Sequence, residues 1–91
     1  MAIHRLAKDQ SSRGKGGCPA LYATDDPSRM IAQGPVLPDA EFDELLEIQP
    51  FETAVAIPTE TVLRGVAKYA TEHGADDLTA SIEAFLAQRE L

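Results

Sequence analysis

Proline and glycine punctuate this chain so densely between residues 14 and 58 that no regular element there has room for more than about three helical turns. Gly34-Pro35, Pro38, Pro50 and Pro58 each remove a backbone donor and restrict the residue before them, and Gly74 supplies a helix stop. Whatever forms must fit between these marks. Ala20–Thr24 carries strand-favouring residues, Asp25-Asp26-Pro27-Ser28 supplies turn chemistry, and Arg29–Gln33 returns, which predicts a β-hairpin. Asp39 to Glu47 predicts a short helix with Asp39 as N-cap and an apolar stripe of Phe42, Leu45 and Leu46. Glu52–Ile57 predicts a strand with Val55 and Ile57 on one face, stopped by Pro58.

After residue 58 the pattern turns helical. Thr59 is expected to cap a helix from Glu60 to His73, buried through Val62, Leu63, Val66, Ala67 and Ala70. Glu60 and Arg64 stand four apart on its other side, in the favourable order. Asp76 or Asp77 is expected to cap a last helix, Leu78 to Gln88, with Leu78, Ile82, Phe85 and Leu86 recurring at helical spacing. The expected fold class is therefore a small α+β domain. It has a sheet of about three strands, the N-terminal hairpin plus a third strand from 52–57, packed against three helices.

Charge divides the chain unevenly. Residues 1–17 hold Arg5, Lys8, Arg13 and Lys15 against Asp9, a net of +3, while residues 18–91 hold 4 basic and 14 acidic groups, a net of −10. The glycine-rich polar run before Cys18 buries too little to offset its ordering entropy. The expected organisation is a flexible basic arm, 1–17, followed by a single domain, 18–91. An overall charge of −7 argues against a surface built for nucleic acid, leaving the arm as the one place for a weak phosphate contact. The opening nine residues lack the apolar centre of an export signal and no apolar run reaches membrane-spanning length, so a cytoplasmic location is expected.

Reactive chemistry finds little support. Cys18 is the single cysteine, so it forms neither an internal disulfide nor a structural zinc site, and as a nucleophile it needs a base. The histidines, His4 and His73, show no ligand spacing with it, and His73 beside Gly74 suits a helix C-terminus. Gly14-Lys15 lacks both the earlier glycine and the following hydroxyl of a phosphate loop. No catalytic residue, metal site or cofactor is expected. The candidate reactive thiol is Cys18, and the candidate partner-binding residues are Asp39, Glu41, Asp43, Glu44 and Glu47, an acidic run.

Gly17-Cys18-Pro19-Ala20-Leu21-Tyr22-Ala23-Thr24-Asp25, then Gln33-Gly34, then Glu52-Thr53-Ala54-Val55-Ala56-Ile57-Pro58, resembles a group of small uncharacterised actinobacterial proteins. More distantly, Gly-Gly-Cys followed by Gly34-Pro35-Val36-Leu37 and Phe42 resembles the BldB-like proteins. The resemblance spans roughly residues 16–64 and implies a regulatory or partner-binding role beside helix-turn-helix regulators. It brings no catalytic residues. The functional expectation is a non-enzymatic interaction or accessory domain, homo-oligomeric, whose acidic surface meets a basic protein partner such as a DNA-binding regulator. The alternatives are a thiol-dependent enzyme or sensor using Cys18, and weak nucleic-acid binding through the arm.

Overall fold

The computed structural model of the chain describes residues 2–9 and 19–89. Three strands, β1 (Ile3–Lys8), β2 (Ala20–Thr24) and β3 (Met30–Gln33), form one antiparallel sheet in the order β1-β2-β3. A one-turn helix α1 (Asp39–Phe42) follows, then α2 (Thr59–Glu72) and α3 (Asp76–Arg89). Helix α2 lies across β1 and β2, and α3 packs on α2. The α+β class and the three-stranded sheet are as expected.

The hairpin is built where the turn residues stand. Thr24 Oγ1 donates to the Asp26 carbonyl at 2.9 Å, the Asp26 N–H donates to Thr24 Oγ1 at 3.1 Å, and the Arg29 N–H closes onto the Asp26 carbonyl at 3.1 Å. The Ser28 N–H and hydroxyl both donate to Asp26 Oδ1, at 2.9 and 2.7 Å. These two bonds favour the carboxylate and hold its pKa below the ordinary 3.8. Because the folded pKa is depressed, the stabilisation is present above the unfolded value and is lost as pH falls through the folded one.

The third strand is not the one predicted. Residues 3–8, expected within a mobile arm, are β1, whereas 52–57 contributes only a single bridge, Val36 to Val55. That bridge is flanked by Leu37 N–H to the Ala54 carbonyl (3.1 Å) and Ala56 N–H to the Pro35 carbonyl (3.0 Å). It goes no further because Pro35, Pro38, Pro50 and Pro58 bracket both sides and have no N–H to donate. β1 succeeds because Leu6 and Ala7 are buried together at a bulge between the Arg5–Tyr22 and Ala7–Leu21 pairs. The extra residue puts two neighbouring apolar side chains inside while the charged ones stay out. A domain start at Cys18 is therefore corrected to include residues 3–8. The rest of the expected arm, residues 10–17 among it, lies outside the described residues.

The helices also shift from their expected limits. Pro38, not Asp39, takes the cap position of α1, and the helix ends at Phe42. Beyond it the chain continues only through Glu44 to Glu41 and Leu45 to Phe42 backbone bonds, before Glu47 adopts φ 60. A left-handed residue cannot continue a right-handed helix. Pro58 likewise stands where Thr59 was expected to cap α2. The predicted end of α2 holds: Gly74 is left-handed at φ 78, and the Ala75 N–H reaches the Ala70 carbonyl at 2.8 Å. α3 begins at Asp76, two residues before the predicted start.

The core is thin and made mostly of small residues. Leu6, Leu21 and Ala23 cluster beneath α2, with Val66 and Tyr69 packed against them. On α2 the buried positions are Thr61, Gly65, Ala67 and Ala70, so of the predicted stripe Ala67 and Ala70 are buried while Val62, Leu63 and Val66 are only partly covered. A Cβ at Gly65 would fall 2.6 Å from Leu21 Cδ2 and 3.2 Å from Leu21 Cβ. α3 buries no residue, since Leu78 and Phe85 are half exposed while Ile82 and Leu86 are partly covered. It is held by hydroxyls as well as apolar contact: Thr79 Oγ1 donates to the Ala67 carbonyl at 3.0 Å and lies 2.9 Å from Thr71 Oγ1.

Three outcomes test this packing. Gly65→Ala in an open helix would stabilise by about 1 kcal/mol, but overpacking against Leu21 costs about 1–3 kcal/mol. Thermal melts should therefore show a lower Tm, and a rise would refute the close approach. Thr61 is 0% exposed and its Oγ1 has no hydrogen-bond partner. Thr61→Val keeps the shape and removes the orphaned hydroxyl, so urea unfolding should find it more stable by about 1 kcal/mol. Asp26→Ala should be less stable than the parent at neutral pH, with the gap narrowing in acid below pH 3.8.

Candidate functional site

Two surfaces stand out, one on the segment that follows β3 and one along β1. The first is the lobe that leaves β3 at Gly34 and returns at Pro58. Its neck is tight: a Cβ on Gly34 would sit 2.5 Å from Ile57 Cγ2 and 2.6 Å from the Ala56 carbonyl oxygen. Within 36–55 stand six acids, Asp39, Glu41, Asp43, Glu44, Glu47 and Glu52, and no Lys or Arg. The five acids singled out from sequence are all solvent-exposed, and α1 with the turns after it gathers them on this one lobe.

The apolar residues of the lobe are the surprise. Phe42 is partly covered, but Leu45 and Leu46 do not form the predicted buried stripe; Leu46 is 86% exposed, and so is Phe51. Val36, Leu45 and Ile48 are exposed beside them. Phe51 is carried on a turn closed by the Glu52 N–H to the Gln49 carbonyl (2.9 Å), while Glu52 Oε1 accepts from the Gln49 N–H (3.1 Å). Phe51 lies inside that closed turn and is exposed. Sequence pattern missed the feature because it assigns apolar residues at helical spacing to a core, and α1 stops before Leu45.

The second surface is a cleft of about 430 Å³ along the free edge of β1, walled by α2. Arg5 and Lys8 face it from the strand, Arg64 and Lys68 from the helix, and Asp9 stands at its end. Arg64 is anchored: its Nη2 donates to the Lys8 carbonyl at 3.1 Å, and its Nε lies 3.3 Å from Glu60 Oε1. The predicted Glu60–Arg64 pair is therefore present. Its Nε is nonetheless buried without a well-aligned hydrogen bond. No sequence signal pairs residues 5–8 with 64–68, because the contact exists only once β1 enters the sheet.

The remaining candidates do not converge. Cys18 lies outside the described residues. His4 Nε2 sits 3.0 Å from Glu72 Oε1, and His73 stacks on Tyr69 with ring centroids 4.0 Å apart and its Nδ1 2.9 Å from the Tyr69 carbonyl. Among the described residues no three His, Cys, Asp or Glu side chains are grouped to hold a metal ion, and no helix is long and apolar enough to cross a membrane. Comparison with protein families, with curated proteins and with solved structures gives no match.

Proposed function

We propose that this chain is a non-enzymatic interaction domain whose 36–55 lobe docks onto a basic partner surface, such as that of a DNA-binding regulator. The observation that carries this reading is the joint exposure of Leu46 and Phe51, each 86% exposed, within a segment bearing six acids and no base. Large exposed apolar side chains rimmed by polar ones mark interaction sites, and aromatic anchors supply most of the affinity in such contacts. The carboxylates around them would speed and orient encounter with a positive surface. The thin core agrees with it, since a domain that buries little of its own apolar surface is completed by a partner.

The test is affinity capture with cross-linking, followed by titration of each captured protein. Phe51→Ser should weaken binding by about thirtyfold, the scale of a central aromatic anchor. Glu44→Lys with Glu47→Lys should slow association and remove its salt dependence. Both variants should melt like the parent, because the altered side chains are exposed. Binding that is indifferent to both changes would refute the lobe as the docking element.

A further inference from the structure

The geometry points to a second site, independent of the lobe: the cleft along β1 binds a small organic phosphate, with the phosphate among Arg5, Lys8, Arg64 and Lys68. Four of the eight Lys and Arg residues of a chain with net charge −7 line this one concavity. Among the described residues no carboxylate lies within ion-pair distance of Arg5, Lys8 or Lys68. Four cations face Asp9 and the Glu60 that pairs with Arg64, so the cluster keeps an excess of positive charge, and an anion seated among them relieves their mutual repulsion. Arg64 is held in place by the Lys8 carbonyl on Nη2 and by Glu60 beside Nε, which leaves its Nη1 donors for an anion at the cleft wall. The carboxylates nearby are Asp9 at one end, Glu60 on Arg64, and Glu83 farther along.

The cleft does not end at the cations. It adjoins a groove of about 380 Å³ that shares Arg64 and Lys68 with it, and there Ala67, Thr71, Thr79 and Leu86 add apolar and hydroxyl walls, with Glu83 among them. A bare inorganic ion would use only the first part. A phosphate monoester with a compact, mostly apolar body fills both, and pockets of a few hundred Å³ with a few placed polar groups suit such a ligand. The phosphate is preferred to a carboxylate because its second negative charge and third oxygen match a cluster of four cations.

The experiment is an amide-resolved NMR titration of the full chain with inorganic phosphate, with phenyl phosphate and with phenol. Inorganic phosphate should shift amides in 5–8 and 64–68. Phenyl phosphate should extend the shifts to Ala67, Thr71, Thr79 and Leu86 and bind at least about fivefold tighter, while phenol alone should not saturate. Arg5→Gln with Lys68→Gln, both exposed positions, should weaken phenyl phosphate by about tenfold and leave the melt unchanged. The Phe51→Ser variant should bind it like the parent, which separates this site from the docking lobe. Absence of saturable shifts with either phosphate, binding undiminished in the double variant, or equal affinity for the two phosphates would overturn the proposal.

Discussion

Gly65 brings α2 so close to the sheet that even a methyl group there would collide with Leu21. The small side chains on both sides of the contact, Ala7 and Ala23 on the strands and Ala67 and Ala70 on the helix, suit the same close approach. Dispersion falls off steeply with separation, so a narrow interface recovers in contact what it lacks in side-chain volume. The consequence reaches the edge of the sheet. Only at this distance does Arg64 meet the Lys8 carbonyl, and that bond makes the free edge of β1 one wall of a cleft.

A thin core also determines what is left outside. With α2 occupied by the β1–β2 pair and α3 held to α2, neither is shown to cover the lobe between β3 and α2. The bridge at Val36 and Val55 stays short, since Pro35 and Pro38 on one side and Pro58 on the other have no N–H with which to extend it. The lobe is therefore tethered at a narrow neck and otherwise displayed. Its apolar residues are exposed because the backbone rules forbid the element that would have buried them.

Legibility in the sequence followed the range of the interactions. The β2–β3 hairpin was readable because Thr24, Asp26 and Ser28 make their bonds within five residues, and the Gly74 stop because its bonds close within one turn. α2 and α3 were readable from periodicity. β1 was not, because glycine and charge nearby outweighed the short Leu6-Ala7 pair, whose burial depends on a bulge and on a partner strand beyond residue 19. Of the site, the acids of the lobe were legible as a cluster. The exposure of Leu46 and Phe51 was not, since apolar residues at helical spacing imply burial only if the helix forms. The cationic cleft joins residues some sixty positions apart and left no local mark.

The two surfaces oppose each other in charge, the lobe entered from the end of β3 and the cleft lying along β1, the strand at the other edge of the sheet. Two strand spacings separate those edges by about 10 Å of backbone alone. That already exceeds the screening length of about 8 Å at physiological ionic strength. Each surface therefore presents its own field to an approaching molecule, and the net charge of −7 describes neither. An anion drawn to Arg5 and Lys68 meets its neighbouring carboxylates in Asp9 and Glu60, not in the lobe. A basic surface drawn to the lobe meets no competing cation there, because the segment carries none. Segregation of charge between the lobe and the β1–α2 cleft is what allows one chain to display two chemically opposite surfaces.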